Sequence, residues 1–388
     1  MHPKGNQIIE PIQSNTLSNS NIIFVDSSRL ITESLVRAGA EVFIGYPITP
    51  ANLLYKYASK RYPIFMSAPD EITTLQWMSG FAVSGRIPVT ATSFPGYALM
   101  IESINMACMM ELPMVIILVQ RLGPATGTAT RGAQGDLSVL HGTISGGLSL
   151  PVFSLSNATD CWDMPAKALE VAVSYRTPVV ILTSKEEVMM QYNLDTSALG
   201  AIKKVEPSFY SGKEDFVPYA PKENLIPEFL PVTSDRHQVR FTASTHGKNG
   251  IIQNATPEAL ANSKRLQKKV TSNLKEFTWF ELDEEKGADT LLVSYGITAQ
   301  ACMEAVSDLR KEGKRVSLLI AKTLLPVPDD YYEICRRHER IIFAEENLNG
   351  QLRQLMFGIQ SPPHIKGVNE FGNMINPVQI KKAIEEDA

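Results

Sequence analysis

Glu41-Val42-Phe43-Ile44-Gly45-Tyr46-Pro47-Ile48-Thr49-Pro50 sets a short apolar run against a turn stiffened by two prolines. Residues 41–44 are too few for a helix and too apolar for a loop, so they read as a buried strand. A helix fits Ser27–Ala38 just before them, with Asp26 or Ser27 as N-cap and Gly39 as its stop. Helices at 51–59 and from 69 to about 85 follow the turn. The alternation then repeats: strand Pro88–Thr92, an apolar helix over 97–110, strand Met114–Gln120, a strand within 149–155, a helix over 160–175 and strand Pro178–Ser184. Short, wholly apolar strands separated by helices predict a parallel sheet covered by helices on both faces.

From 191 to about 289 this pattern lapses. Pro, Lys, Glu and Ser cluster there with little periodicity until 257–277, which reads as one long helix. The stretch is expected to be an extended connector, ordered by packing on its neighbours. A second β/α unit follows, with strands at Thr290–Ser294, 315–321 and 340–344 and helices at 298–312 and from 351. The fold class is therefore α/β. It divides into a polar arm (1–21), a larger α/β domain (22–195), the connector (196–286) and a smaller α/β domain (287–388).

The composition, 44% hydrophobic and 20% charged over 388 residues, suits a globular protein with a large core. A net charge of −4 gives no electrostatic reason to expect nucleic acid or an anionic membrane. The longest apolar runs are strand-length, short of the roughly 18–20 residues that span a bilayer. The first 21 residues lack the charged-then-apolar plan of a secretory signal. Cys108, Cys161, Cys302 and Cys335 are scattered without a CxxC pair, so local spacing builds neither a zinc site nor an iron–sulfur cluster. They are expected to be buried, reduced thiols of a cytoplasmic protein.

In an open parallel sheet, ligands sit outside the carboxyl ends of the strands. Three polar features fall there: 46–50, the run Thr92-Ser93-Phe94-Pro95-Gly96, and Gln120-Arg121 with its Gly-rich loop. Arg121 brings a planar, permanently charged fork to the sheet edge, suited either to a ligand carboxylate or to a structural acid. Thr49, between two prolines, is either a held hydroxyl or a plain turn residue. Glu71 opens a helix, where a carboxylate also meets the backbone dipole favourably.

Several ordered runs carry a resemblance: GYPITP (45–50), DEI (70–72), TATSFPGYALMIE (90–102) and VQRLGPATGTATRGAQGDL (119–137). With GADTLLVSYG (287–296) and AEENLNGQL (344–352), they resemble the α subunit of 2-oxoacid:ferredoxin oxidoreductases, nearest to the 2-oxoglutarate branch. The resemblance covers nearly everything after Asn21. It implies a pyrimidine-type thiamine-diphosphate-binding domain and a transketolase-C-terminal-like domain. It also implies a β subunit carrying the pyrophosphate site, Mg2+ and an iron–sulfur cluster, with a γ subunit as a further candidate partner. Glu71 would hydrogen-bond N1′ of the aminopyrimidine, favouring the imino tautomer that removes the thiazolium C2 proton. Thr49 would contact the 2-oxoacid, Arg121 would bind its carboxylate, and Pro47, Ile48, Ser93 and Gly96 would line the cofactor. Oxidative decarboxylation would then deliver the acyl group to coenzyme A and electrons to ferredoxin.

Some residues depart from the family's pattern. Phe94 stands where a glycine is usual, and the span between Thr49 and Glu71 is a few residues short. TASTHGK (242–248) replaces an acidic run, and its His246 reads as a surface residue. Lys264-Arg265 and Lys268-Lys269 read as a solvated helix face. The Met-rich stretch 100–114 reads as core or subunit interface. The Gly-rich loop lacks the Gly-Lys-Ser/Thr ending of a phosphate-binding P-loop. Two other functions remain open at this stage: a non-oxidative thiamine-dependent decarboxylase or acyl-transfer subunit, and an inactive paralogue that binds a partner.

Overall fold

The computed structural model describes residues 21–386, so the expected polar arm lies outside the described residues except for Asn21. Along the chain the strands are β1 (Ile22–Asp26), β2 (Val42–Gly45), β3 (Ile64–Ser67), β4 (Pro88–Thr92), β5 (Met114–Gln120), β6 (Val152–Ser154) and β7 (Pro178–Ser184). They continue as β8 (Gln191–Asp195), β9 (Phe280–Asp283), β10 (Thr290–Ser294), β11 (Val316–Ala321), β12 (Thr323–Leu325), β13 (Arg340–Glu345) and β14 (Ile365–Asn369). One sheet has the order β12-β6-β7-β5-β4-β2-β3 and the other β14-β13-β10-β11-β9, while β1 and β8 form an antiparallel ribbon. Each large sheet is parallel except at one edge: β12 runs against β6, and β9 runs against β11.

The central strands are buried along their whole length and mostly apolar because both faces are covered. In β5, Met114, Ile116 and Leu118 enter one core cluster while Val115, Ile117 and Val119 enter the other. The period-2 alternation of a strand assigns them so. The second cluster lies under helices Ser27–Ala38 and Ala158–Tyr175. The first continues into the second sheet through Leu291, Val293, Leu319 and Phe343, so the two sheets share one apolar core. Asp26 caps helix Ser27–Ala38 through a bond from the Arg29 N–H at 2.9 Å, and Gly39, at φ +109°, ends it.

The connector differs from expectation in four ways. It donates β9 to the second sheet. The expected long helix over 257–277 is instead helix Pro257–Thr271 followed by a 3-10 turn, Leu274–Phe277. The break falls at Ser272-Asn273, where the Asn273 amide donates to the Lys269 carbonyl at 2.8 Å and so replaces the next helical turn. The basic run does not form one solvated face: Lys264 and Lys268 are exposed, but Arg265 and Lys269 point inward to the buried carboxylate of Glu111. Burial would push Glu111 up, yet Lys269 and Arg265 outweigh it and hold the carboxyl at about 2. His246 is also buried rather than exposed. It packs on the Tyr219 ring at 4.0 Å between centroids, with Nδ1 2.7 Å from the Ser244 carbonyl and Nε2 3.1 Å from the Asn262 amide. The Glu111 pairs tie the connector to the larger domain, while the His246 contacts hold the connector together within itself.

Strand β12 arrives from the far end of the chain to complete that sheet. The Ser154 N–H donates to the Lys322 carbonyl at 2.7 Å, and the Tyr331 hydroxyl donates to the Thr323 carbonyl at 2.8 Å. The four cysteines are buried and unpaired. Met100 and Met114 are core residues, while Met106, Met109 and Met110 are half-buried.

Candidate active site

Strand order fixes where a ligand can sit. From β2 the chain passes outward to β3 and then crosses back to β4, so the winding direction reverses between β2 and β4. The carboxyl ends of such a pair flank the crevice that an open α/β sheet offers. Four segments leave strands at that edge: 46–50 after β2, 68–71 after β3, 93–96 after β4 and Arg121 after β5.

Asp70 and Glu71 divide the work at the start of helix Glu71–Val83. The Asp70 carboxylate accepts from the Thr73 N–H at 2.7 Å and caps the helix. Glu71, freed from that role, turns its side chain inward and is buried. Burial raises its pKa, against a hydrogen bond from its own N–H, and the charge of Asp70 adds to the rise. Gly96 permits this placement. A methyl group there would lie 2.6 Å from Glu71 Oε1 and 2.2 Å from Thr92 Oγ1, so only a residue without Cβ lets helix Phe94–Met109 come so close. Ser93 precedes that helix with its hydroxyl buried and unpartnered, and Phe94 is half-buried.

A second group forms around Arg121. Its Nη1 donates to the Thr49 carbonyl at 2.6 Å across the Thr49–Pro50 cis turn, and its Nε has no partner among the described residues. Thr49 Oγ1 accepts from the Asn52 amide at 3.0 Å. The fold thus brings Thr49 and Arg121 into contact, and Glu71 against Gly96. Pro47 is exposed and Ile48 half-buried in the same turn, and neither makes a polar side-chain contact.

The Gly-rich loop after Arg121 closes as a hairpin, with Leu122 N–H on the Arg131 carbonyl at 2.8 Å. Gly127, at φ +46°, is required there, because a methyl would lie 1.6 Å from the Leu122 carbonyl oxygen. Beyond it lie two residues that the sequence reading did not single out. Gln134 is clasped by the second sheet: its side chain donates to the Tyr295 carbonyl at 2.8 Å and accepts from Thr298 and the Glu346 N–H, both at 2.9 Å. Asp136 is buried, its Oδ2 unpartnered, and burial pushes it up to about 7 against the pull of Arg121. The sole signal for either was its position in the polar end of the AQGD run at the sheet's ligand edge.

Residues 33–264 match the family described as "Pyruvate flavodoxin/ferredoxin oxidoreductase, thiamine diP-bdg", and 280–350 match "Transketolase, C-terminal domain". The 2-oxoglutarate synthase subunit KorA of Methanocaldococcus jannaschii is 28% identical, over 85% of this chain and 96% of that one. The 2-oxoglutarate oxidoreductase subunit KorA of Mycobacterium tuberculosis is 31% identical, over 86% of this chain and 52% of that one. Among solved structures, the 2-oxoglutarate:ferredoxin oxidoreductase of Magnetococcus marinus, with 2-oxoglutarate, coenzyme A and succinyl-CoA bound, superposes with a TM-score of 0.87 at 26% identity. The superposition covers 95% of this chain and 65% of that one.

Proposed function

Because the chain belongs to the pyruvate flavodoxin/ferredoxin oxidoreductase family, as an α subunit of the 2-oxoacid:ferredoxin oxidoreductase type, we propose that it works on 2-oxoglutarate or a closely similar 2-oxoacid. The acid is oxidatively decarboxylated to CO2 and an acyl group that passes to coenzyme A, while the electrons pass to ferredoxin. The observation that carries this is the pairing of a dry Glu71 carboxyl against Gly96 with an Arg121 fork on Thr49, both at the sheet's switch point.

These residues fit an aminopyrimidine. Glu71 offers a buried carboxyl whose raised pKa suits a hydrogen bond to a ring nitrogen, and Gly96 gives that side chain the room to lie there. Thiamine diphosphate, when bound, supplies the carbon nucleophile and the electron sink for decarboxylation. The chain's own part is to hold and move protons at Glu71, to fix the 2-oxoacid with Thr49 and Arg121, and to line the cofactor with Pro47, Ile48, Ser93 and Gly96. The four cysteines are buried and distant in sequence, unsuited to a cluster. We therefore assign the iron–sulfur cluster, and the pyrophosphate site with its Mg2+, to a β subunit. Exposed Ile72, Trp77 and Leu99, on the two helices that enclose Glu71, suit such a partner.

The chain alone is expected to reduce no acceptor with any 2-oxoacid, and to do so once co-produced with a β-type chain. Turnover by the isolated chain, measured as dye reduction, would overturn the half-site reading. Within the assembled enzyme, Gly96→Ala is expected to displace Glu71 and lower kcat about 100-fold, as small misplacements of catalytic groups do. An unchanged kcat in a correctly assembled Gly96→Ala enzyme would remove Gly96 from the cofactor site.

A further inference from the structure

Asp136 and Arg121 carry opposite charges, are both buried, and sit on segments tied to each other. The Asp136 N–H donates to Gln120 Oε1 at 3.1 Å, one residue before Arg121. Groups so placed ordinarily close into an ion pair, since a buried carboxylate and guanidinium each lack water. Here they do not. Among the described residues Asp136 makes no ion pair and its Oδ2 has no hydrogen-bond partner, and it does not cap the short helix Leu137–His141 that it precedes. Arg121 spends Nη1 on the Thr49 carbonyl and leaves Nε unpartnered.

The separation is held from both sides. Arg121 is fixed by β5 and by the Thr49 turn. The loop bearing Asp136 is fixed by the second sheet: Gln134 bonds Tyr295, Thr298 and Glu346, and Gln351 donates to the Gly135 carbonyl at 2.8 Å while accepting from the Ser138 N–H at 2.9 Å. The other groups facing Asp136 do not neutralise it. Tyr97, from helix Phe94–Met109, is engaged with Thr143 Oγ1 at 2.9 Å. Tyr295, after β10, lies with Glu345 and Glu346 beyond it, which add negative charge. A guanidinium and a carboxyl held near each other without pairing suit a third group that accepts from both, and a carboxylate is such a group.

We propose that Asp136 is a second substrate-binding residue of the 2-oxoacid site, taking up one proton when the substrate carboxylate docks on Arg121 and donating it back to that carboxylate in a hydrogen bond. It follows from the assignment of Arg121 to the substrate carboxylate made above. Before docking, Arg121 is the cation that, among the described residues, favours ionised Asp136. A second anion on Arg121 cancels that attraction and adds repulsion, so the proton comes from solvent and no other bond changes. The protonated carboxyl also discriminates, because a neutral carbonyl ligand gives it no reason to take up the proton.

The test uses the assembled enzyme with saturating coenzyme A. With one linked proton, the KM for 2-oxoglutarate is flat below about pH 7 and rises tenfold per unit above it. Asp136→Asn, the same shape without the titration, is expected to abolish that rise, while a limb in kcat from Glu71 remains. The wild-type enzyme should also take up close to one proton per site on binding 2-hydroxyglutarate in weakly buffered solution above pH 7, which requires no variant to fold. An unchanged KM slope in Asp136→Asn, or no proton uptake by the wild type, overturns the proposal. The two assignments fail separately: an Arg121→Ala enzyme with wild-type KM would sink the carboxylate assignment itself.

Discussion

Glu71→Gln in the assembled enzyme is expected to cut 2-oxoacid-dependent acceptor reduction by roughly 100- to 10,000-fold, the contribution of one positioned proton-transfer group. The substitution keeps the shape of a side chain packed against Gly96 and Thr92, so assembly and thermal stability should change little. Gln presents an amide where the carboxyl is proposed to exchange a proton, so the loss should fall on chemistry rather than on cofactor retention. Two measurements separate these: steady-state rates, and exchange of the C2 proton of bound thiamine diphosphate followed by NMR. The sign of the pH effect follows from the raised pKa of Glu71. The group holds its proton to higher pH than an exposed carboxylate, so the wild-type rate should change with pH above the ordinary carboxylate range, and that limb should vanish in Glu71→Gln. A Glu71→Gln enzyme within tenfold of wild type would take Glu71 out of the proton path.

Arg121→Ala should act on a different constant. Removing one partner of a desolvated, hydrogen-bonded charge pair costs about 2–5 kcal/mol, a rise of roughly 30- to several thousand-fold in the KM for the 2-oxoacid. The change in kcat should be smaller, because the proposed contact is with the carboxylate and not with the reacting carbon. Arg121→Lys should recover little, since an ammonium cannot hold both the Thr49 carbonyl and a carboxylate with a planar fork. Added guanidinium ion should restore part of the Ala variant's rate if its loss is one of contact. If thermal unfolding shifted strongly while KM stayed at the wild-type value, Arg121 would be a brace for the Thr49 turn and not a ligand.

The larger sheet was legible where the chain repeats an unambiguous signal. Helix Ser27–Ala38 has a cap, a stop and a 3.6-residue period, and Pro88–Thr92, Met114–Gln120 and Pro178–Ser184 are apolar runs bounded by breakers. Strand β3 was missed because four residues after Tyr62-Pro63 carry little pattern of their own, and β9 and β12 are edge strands defined by partners far along the chain. Burial went astray for the same reason. Arg265 and Lys269 look solvated until Glu111, more than 150 residues earlier, is placed beneath them. Of the candidate site, Thr49, Glu71 and Arg121 each kept a structural reading as well as a functional one at the ligand edge, and the family resemblance, not their positions, singled them out. Gln134 and Asp136 lie in a loop with no period, and what marks them is a contact with the second sheet or an unsatisfied atom, neither of which a linear chain displays.

The antiparallel strand β12 has a consequence for how the molecule comes apart. It belongs by sequence to the C-terminal half, yet it closes an edge of the N-terminal sheet, and Thr323 Oγ1 both accepts from the Trp279 N–H at 2.9 Å and donates to the Phe277 carbonyl at 2.7 Å. The C-terminal half cannot open without stripping an edge from the N-terminal sheet. Two units that could have melted in separate steps are thereby stitched into one cooperative transition, and amide exchange in β6 should be governed by the stability of the whole chain rather than of its own sheet.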